Sequence, residues 1–262
     1  MSLKGRNAIV TGGAGHIGFA AAQALAELGA RVALLDVDAA ASRASADKLN
    51  QARANSALPR VCDLADEQAT RAAIRESISA LGGLDVLVHS AAFVGTTGMP
   101  GWAAPFEQQT VAAWDAGMRV NLTSAFVMAQ EARTALAASG RGSIVFISSI
   151  YGMVGADPAT YEGTGMNRDR VLAYSASKGG LLQLMRHLAT LLAPQIRVNA
   201  ISPGGIERGQ PQAFRDRYAA RTPLQRMGTE EDMKGAIAYL ASDLSAYVTG
   251  HNLVVDGGWT AW

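Results

Sequence analysis

Cysteine occurs once in the 262 residues, at Cys62. That excludes an internal disulfide and any cysteine-rich zinc site, and it fits a reducing compartment. The four histidines are scattered without metal-ligand spacing, so no metal is expected. An excess of either charge is also missing: 23 basic against 22 acidic residues leave a net +1. No run of lysine and arginine is long enough for a nucleic-acid groove, and the densest cluster, Arg168-Asp169-Arg170, is interrupted by an acid. No apolar run reaches the length of a bilayer span. The N-terminus lacks the charged, apolar and small-residue order of a secretory signal. The expectation is a cytoplasmic chain with neither nucleic acid nor membrane as a partner.

What is abundant is apolar residues, 49% of the chain, enough for a substantial core. Short β-branched runs alternate with longer Ala/Leu-rich stretches. Strands are expected at Asn7–Thr11, Arg31–Asp36, Leu58–Cys62, Leu84–His89, Ser143–Ser148, Arg197–Ile201 and Asn252–Val255. Helices are expected at Gly15–Leu28, Ala39–Arg53, Glu67–Leu81, Val111–Ala138, Ala173–Leu192 and Glu230–Leu240, with a short one after the sixth strand. Strands this apolar are buried on both faces. The alternation predicts an α/β fold: a Rossmann-type, doubly wound parallel sheet of about seven strands with helices on both faces. No linker or repeat divides it, so residues 1–262 read as one domain with variable loops at about 93–108, 152–172 and 204–222.

The first strand runs into Thr11-Gly12-Gly13-Ala14-Gly15-His16-Ile17-Gly18 and then into a helix. Gly13-x-Gly15-x-x-Gly18 matches the dinucleotide fingerprint, whose glycines let the backbone approach a pyrophosphate at a helix N-terminus. Asp36 ends the second strand, 18 positions after Gly18, where a carboxylate accepts the ribose hydroxyls of an adenosine. It repels a 2′-phosphate, Val37 follows it, and the glycine loop holds no lysine or arginine to offset the charge. NAD is therefore expected over NADP. Further along, Tyr174-Ser175-Ala176-Ser177-Lys178 places a phenol and an ammonium on one helix face. A nearby ammonium favours the phenolate, which makes the pair a proton acceptor, or in reverse a donor, for an alcohol/ketone interconversion.

The order of these features resembles the short-chain dehydrogenase/reductase family in its shorter, single-domain form, over essentially the whole chain. The matching elements are the Thr11–Gly18 loop, Asp36, Asp63-Leu64, Ala91, Asn121 in Val120-Asn121-Leu122, Ser148-Ser149, Tyr174-x-x-x-Lys178, Pro203-Gly204, Thr249-Gly250 and Val255-Asp256-Gly257-Gly258. The resemblance implies a catalytic set of Asn121, Ser149, Tyr174 and Lys178. Ser149 would bond the substrate oxygen, Tyr174 exchange the proton, and Lys178 lower the tyrosine pKa and hold the nicotinamide ribose. Asn121 would position a water that leads protons away from Lys178. Gly12, Gly13, Gly15, His16, Ile17, Gly18, Asp36, Val37, Asp63, Leu64, Ala91, Ala92, Tyr174, Lys178, Pro203, Gly204 and Ile206 would hold the cofactor. A homotetramer, or else a dimer, packed through the helices at Val111–Ala138 and Ala173–Leu192 is also implied.

Several positions depart from that pattern. His16 stands where this form of the family usually has a glycine, and Gly15 is expected to supply the close approach. The same glycine spacing occurs in a longer, sugar-nucleotide-modifying branch, whose substrate domain this chain is too short to contain. His89-Ser90-Ala91-Ala92 replaces Asn-Asn-Ala-Gly, with His89 expected to be structural, and Arg208 replaces a threonine that usually touches the carboxamide. Ser149 and Tyr174 are 25 positions apart, about twice the usual separation. Within the insert, Tyr161 has nearly the usual spacing from Ser149, but Gly165 stands where its lysine would be. Met99, Trp102, Phe106, Tyr151, Tyr161, Glu162 and Tyr218 are candidates for a substrate pocket, and Arg208 for pairing with a substrate carboxylate or phosphate. The mixture suits a sugar, polyol or hydroxy acid. A 3-oxoacyl or other carbonyl reductase is the alternative within the family, and an NAD-binding regulatory or structural protein without turnover is the alternative outside it.

Overall fold

The structure is a computed structural model, and it describes residues 1–94, 98–166 and 172–262. The first half alternates strand and helix as β1 (Asn7–Thr11), α1 (His16–Glu27), β2 (Arg31–Asp36), α2 (Ala39–Ala52), β3 (Ala57–Val61), α3 (Glu67–Leu81) and β4 (Val86–His89). The second half runs α4 (Val111–Met118), α5 (Ser124–Ala138), β5 (Gly142–Ile147), α6 (Pro158–Tyr161), α7 (Leu172–Leu191), β6 (Ile196–Pro203), α8 (Gln212–Arg221), α9 (Glu231–Ala241) and β7 (Asn252–Val255).

The seven strands form one parallel sheet in the order β3-β2-β1-β4-β5-β6-β7. Its faces are covered by different helices. On one face Leu87, Ile144 and Val198 pack with Ile74 of α3, Met128 of α5 and Met185 of α7. On the other, Val10, Leu34 and Val145 pack with Leu25 of α1 and Ile237 of α9. Strand order reverses between β1 and β4, and such a point opens a crevice beyond the carboxyl ends of the strands. Thr11 of β1 pairs in register with His89 of β4, and His89 with Phe146 of β5, so the loops leaving these strands emerge side by side.

Local chemistry explains the element ends. Asp66 caps α3 by accepting from Ala69 N at 3.0 Å, and Gly82 closes the helix in the left-handed region at φ +81°. Two expectations are corrected. The stretch 111–138 is not a uniform α-helix: residues Arg119–Thr123 form a π-turn between α4 and α5. The insert after Ser149 is not all loop, because Asp157 accepts from Ala159 N at 3.1 Å and starts α6 with proline at its first position. Smaller shifts occur at β3, which starts and ends one residue early, and at β6, which continues to Pro203 because β7 pairs with it there.

Candidate active site

A cavity of about 1320 Å³ opens at the carboxyl ends of the strands. Its floor begins with the glycine loop. Gly12 has φ +62°, and a Cβ there would come within 2.9 Å of Ala91 Cα. A Cβ on Gly18 would lie 2.0 Å from Gly12 O, so the turn closes onto α1 only with glycine at that position. Gly15 is the N-cap of α1 and makes no side-chain cap, and the first turn carries no acid. The uncapped N–H groups therefore remain available for an anion beside Gly15 and His16, both of which line the cavity. The His16 side chain is largely exposed, and Nδ1 lies 3.1 Å from Glu230 Oε1. Gly13 faces the core, where a Cβ would meet Leu34 Cδ2 at 2.7 Å, and unlike Gly12, Gly15 and Gly18 it does not line the cavity.

Asp36 and Val37 border the cavity at the end of β2, with Asp63 and Leu64 beside them after β3. Asp36 Oδ2 accepts from Ala14 N at 3.0 Å and Oδ1 from Asp38 N at 3.2 Å, which ties the carboxylate to the glycine loop. Ala91 and Ala92 lie on the other side of the loop. Thr11 Oγ1 accepts from Ser90 N at 3.1 Å and Ala91 N at 3.2 Å, so the first strand positions the segment after the fourth. Pro203, Gly204 and Ile206, at the end of β6 and just beyond, line the far wall.

Ser149, Tyr174 and Lys178 meet at the centre. Ser149 leaves β5 in extended conformation and caps a 3-10 turn by accepting from Tyr151 N at 3.1 Å. Gly152 ends that turn so close to α7 that a Cβ would lie 2.8 Å from the Lys178 carbonyl. Lys178 Nζ donates to Ile147 O at 2.8 Å and lies 5.5 Å from the Tyr174 ring centroid. Burial pushes the ammonium down to about 7. Burial also pushes the Tyr174 phenol up, opposed by its hydrogen bond with Ser149 and by the charge of Arg208. Arg208 is thus electrostatically coupled to the phenol, an effect that its position 34 residues away along the chain does not announce.

Asn121 sits in the π-turn behind this group, fully buried, and does not line the cavity. Its Oδ1 accepts from Phe93 N at 2.7 Å, and Nδ2 donates to Ser177 Oγ at 3.0 Å. Ser177 in turn donates to Tyr174 O at 2.7 Å. Asn121 therefore ties the segment after β4 to the turn of α7 that presents Tyr174 and Lys178. His89 is fully buried as well, with Nε2 2.8 Å from Ser124 Oγ, and lies outside the cavity lining.

Tyr151, Tyr161, Tyr218 and Arg208 line the remaining wall, as do Phe214, Gln210 and Met227, which the sequence did not single out. Met99, Trp102, Phe106 and Glu162 do not line it. Trp102 is buried in a separate cluster with Ala113 and Ala173, donating Nε1–H to Val94 O at 2.8 Å, while Phe106 is exposed. Parts of two expected loops, residues 95–97 and 167–171, including the Arg168-Asp169-Arg170 cluster, lie outside the described residues. Among the described residues, no group of histidine, cysteine, aspartate and glutamate could hold a metal ion, and no helix is long and apolar enough to cross a membrane.

A family model described as enoyl-(acyl carrier protein) reductase matches residues 12–260. A cis-4-hydroxycyclohexanecarboxylate dehydrogenase from Sinomonas cyclohexanicum is 37% identical over 98% of this chain and 97% of its own. The chain belongs to the short-chain dehydrogenase/reductase family. A sorbose reductase from Schizosaccharomyces pombe is 32% identical over 98% of this chain and 97% of its own. Among solved structures, an NADPH-dependent 3-quinuclidinone reductase from Rhodotorula rubra superposes with a TM-score of 0.86 at 31% identity, covering 100% of this chain and 93% of that one. The protein is accordingly an oxidoreductase of this family, which uses a nicotinamide cofactor.

Proposed function

We propose that this short-chain dehydrogenase/reductase is an NAD-dependent alcohol dehydrogenase, or in reverse a carbonyl reductase, with Tyr174 as the proton acceptor and donor. The observation that carries the reading is the meeting of Ser149, Tyr174 and Lys178 in the cavity that also contains the glycine loop. The uncapped start of α1 suits the diphosphate, and Gly12, Gly15, Ile17 and Gly18 would lie against it, with Gly13 setting the turn from behind. Asp36 and Val37 would hold the adenosine ribose, Asp63 and Leu64 the adenine, and Ala91, Ala92, Pro203, Gly204 and Ile206 the nicotinamide half. When bound, the cofactor supplies hydride acceptance or donation.

The protein's part is positioning and proton transfer. Ser149 Oγ meets the substrate oxygen, and Tyr174 takes the hydroxyl proton during oxidation. An ammonium on Lys178 stabilises the phenolate that must form, and its pKa of about 7 lets it take part in proton transfer near neutrality. Asn121 holds the catalytic turn of α7 through Ser177. The carboxylate of Asp36 disfavours a 2′-phosphate, which supports NAD over NADP. The substrate is a secondary alcohol on a sugar, polyol or hydroxy acid, classes that include the compounds in the names of the Sinomonas and Schizosaccharomyces relatives. One domain contains the whole site, and exposed Val111, Trp114, Phe126 and Leu191 on α4, α5 and α7 suit a dimer or tetramer packed through those helices. The test is a screen of secondary alcohols with NAD and NADP in parallel. NADH formation on at least one supports the reading; turnover with NADP alone overturns the cofactor assignment, and no turnover with either overturns the activity.

A further inference from the structure

The two ends of the cavity differ in charge. Among its described lining residues the carboxylates are Asp36 and Asp63, both at the β2–β3 end. The end around Tyr174 has no described carboxylate, and its charged groups are Lys178 and Arg208. Arg208 is held in place from behind: Nε donates to Glu230 Oε1 at 3.1 Å, and the same oxygen lies 3.1 Å from His16 Nδ1. Its backbone N–H donates to Gln210 Oε1 at 2.7 Å. The two Nη nitrogens make no hydrogen bond among the described residues, so the forked end of a fixed guanidinium stays available.

The wall that carries Arg208 also presents the rings of Tyr151, Tyr161, Phe214 and Tyr218. Tyr151 Oη and Tyr161 Oη bond each other at 2.7 Å, and Tyr218 Oη accepts from Gly205 N at 2.5 Å. The rings of Tyr161, Phe214 and Tyr218 pack edge-on and tilted with centroids 5.3 and 6.0 Å apart. Against these ring faces a polyol loses hydrogen bonds to water without matching replacements, whereas a hydrocarbon body loses none.

Resting on the proposed reading of this cavity, we infer that the substrate is a hydroxy acid with a hydrocarbon body. Its carboxylate is held by the Nη pair of Arg208, and its carbinol oxygen lies between Ser149 and Tyr174. The carbinol gives its hydride to the oxidised nicotinamide dinucleotide and its proton to Tyr174, leaving an oxo acid. Arg208 and Tyr174 line the same cavity, close enough for the guanidinium charge to favour the phenolate. Glu230 is a positioning residue that acts through Arg208, and the insert supplies Tyr161 as part of the apolar wall.

The test compares cis-4-hydroxycyclohexanecarboxylate with its methyl ester, and with sorbitol and galactose, in wild type and Arg208→Gln with NAD. The acid should exceed the ester in kcat/KM by about 10- to 100-fold, mostly through KM, as expected for a charge-assisted pair. Arg208→Gln should bring that ratio to within about threefold of one, and Arg208→Lys should restore part of it, because a lysine keeps the charge but not the fork. A general disturbance of the cofactor would slow acid and ester alike and leave the ratio intact. An ester used as well as the acid, a ratio that survives Arg208→Gln, or turnover of sorbitol or galactose in preference to the acid overturns the inference while leaving the oxidoreductase reading standing. If nothing on the panel turns over, the non-reacting anion cyclohexanecarboxylate is titrated into NADH-loaded enzyme by fluorescence. Binding lost in Arg208→Gln upholds the carboxylate site, and absence of binding by the wild type overturns it.

Discussion

Replacing His89 with asparagine should flatten the acid side of the stability curve. The wild-type imidazole is fully buried and lies 2.8 Å from Ser124 Oγ. Ser124 already donates to Val120 O at 2.7 Å, so the proton between the two side chains belongs to His89 Nε2. That leaves Nδ1 as a bare acceptor with no partner among the described residues. Protonating it would place a cation in the core, near the Lys178 ammonium. Burial first, and Lys178 second, hold the pKa down at about 3 against an ordinary 6.5. The sign follows from proton binding. Between those two values the unfolded chain holds the proton and the folded chain does not, so stability rises with pH across the window. It is complete above about 6.5 and is lost as pH falls toward about 3. From pH 7.5 to pH 5 the linkage withdraws about 2 kcal/mol, and its steepest slope is about 1.4 kcal/mol per pH unit. Urea unfolding at both pH values, for wild type and His89→Asn, measures this as a difference of differences. Surface acids such as Asp232, whose carboxyl Arg226 holds well below the usual range, titrate in both proteins and cancel. A variant that loses as much stability as wild type over this interval refutes the assignment of a buried, neutral His89.

Lys178→Met should show a pH pattern of the same sign in a higher window. With the folded ammonium at about 7 and the unfolded one at 10.5, burial of the charge costs most at and below about pH 7 and costs nothing above about 10.5. Any stability gained by the variant is therefore expected to shrink between pH 6.5 and 9.5 in urea titrations, and a gain that grows with pH contradicts the structure. Asp36→Ala should narrow the preference for NAD over NADP by about tenfold or more, read as the ratio of dissociation constants in fluorescence titrations of the reduced cofactors. An unchanged ratio places the discrimination elsewhere.

Much of the scaffold could be read from sequence because its signals are local. Glu67–Leu81 carries an acid cap before it and a glycine after it, and the helix occupies those residues. Val32-Ala33-Leu34-Leu35 is an uninterrupted apolar run ending at the Asp36 carboxylate, and Arg31–Asp36 is β2. The glycine loop and the Tyr174/Lys178 pair are equally local, one a turn and the other a single helical turn. The π-turn at Arg119–Thr123 was not legible, because apolar periodicity runs through it while Asn121 is drawn toward Phe93 and Ser177 by contacts distant in sequence. For α6 a signal was present in Asp157-Pro158, an N-cap followed by a residue suited to the first helical position, but the short helix has too little apolar pattern to stand out. Trp102 and Phe106 looked like pocket residues by type alone. Gly117 lets Trp102 turn inward, for a Cβ there would lie 2.2 Å from the indole Cζ3. The Glu230 link between His16 and Arg208 joins residues 214 and 22 positions from the acid and leaves no trace in local spacing.

The central claim is that Tyr174, chosen by its lysine and not by its distance from Ser149, transfers the proton. Turnover of Tyr174→Phe and Tyr161→Phe should be measured on one substrate of the wild type, alongside NADH binding to each variant. The account predicts that Tyr174→Phe abolishes turnover with NADH binding largely retained, while Tyr161→Phe, which loses only the hydroxyl bonded to Tyr151, stays active. Substantial turnover by Tyr174→Phe, or its loss in Tyr161→Phe with folding and NADH binding intact, would contradict it.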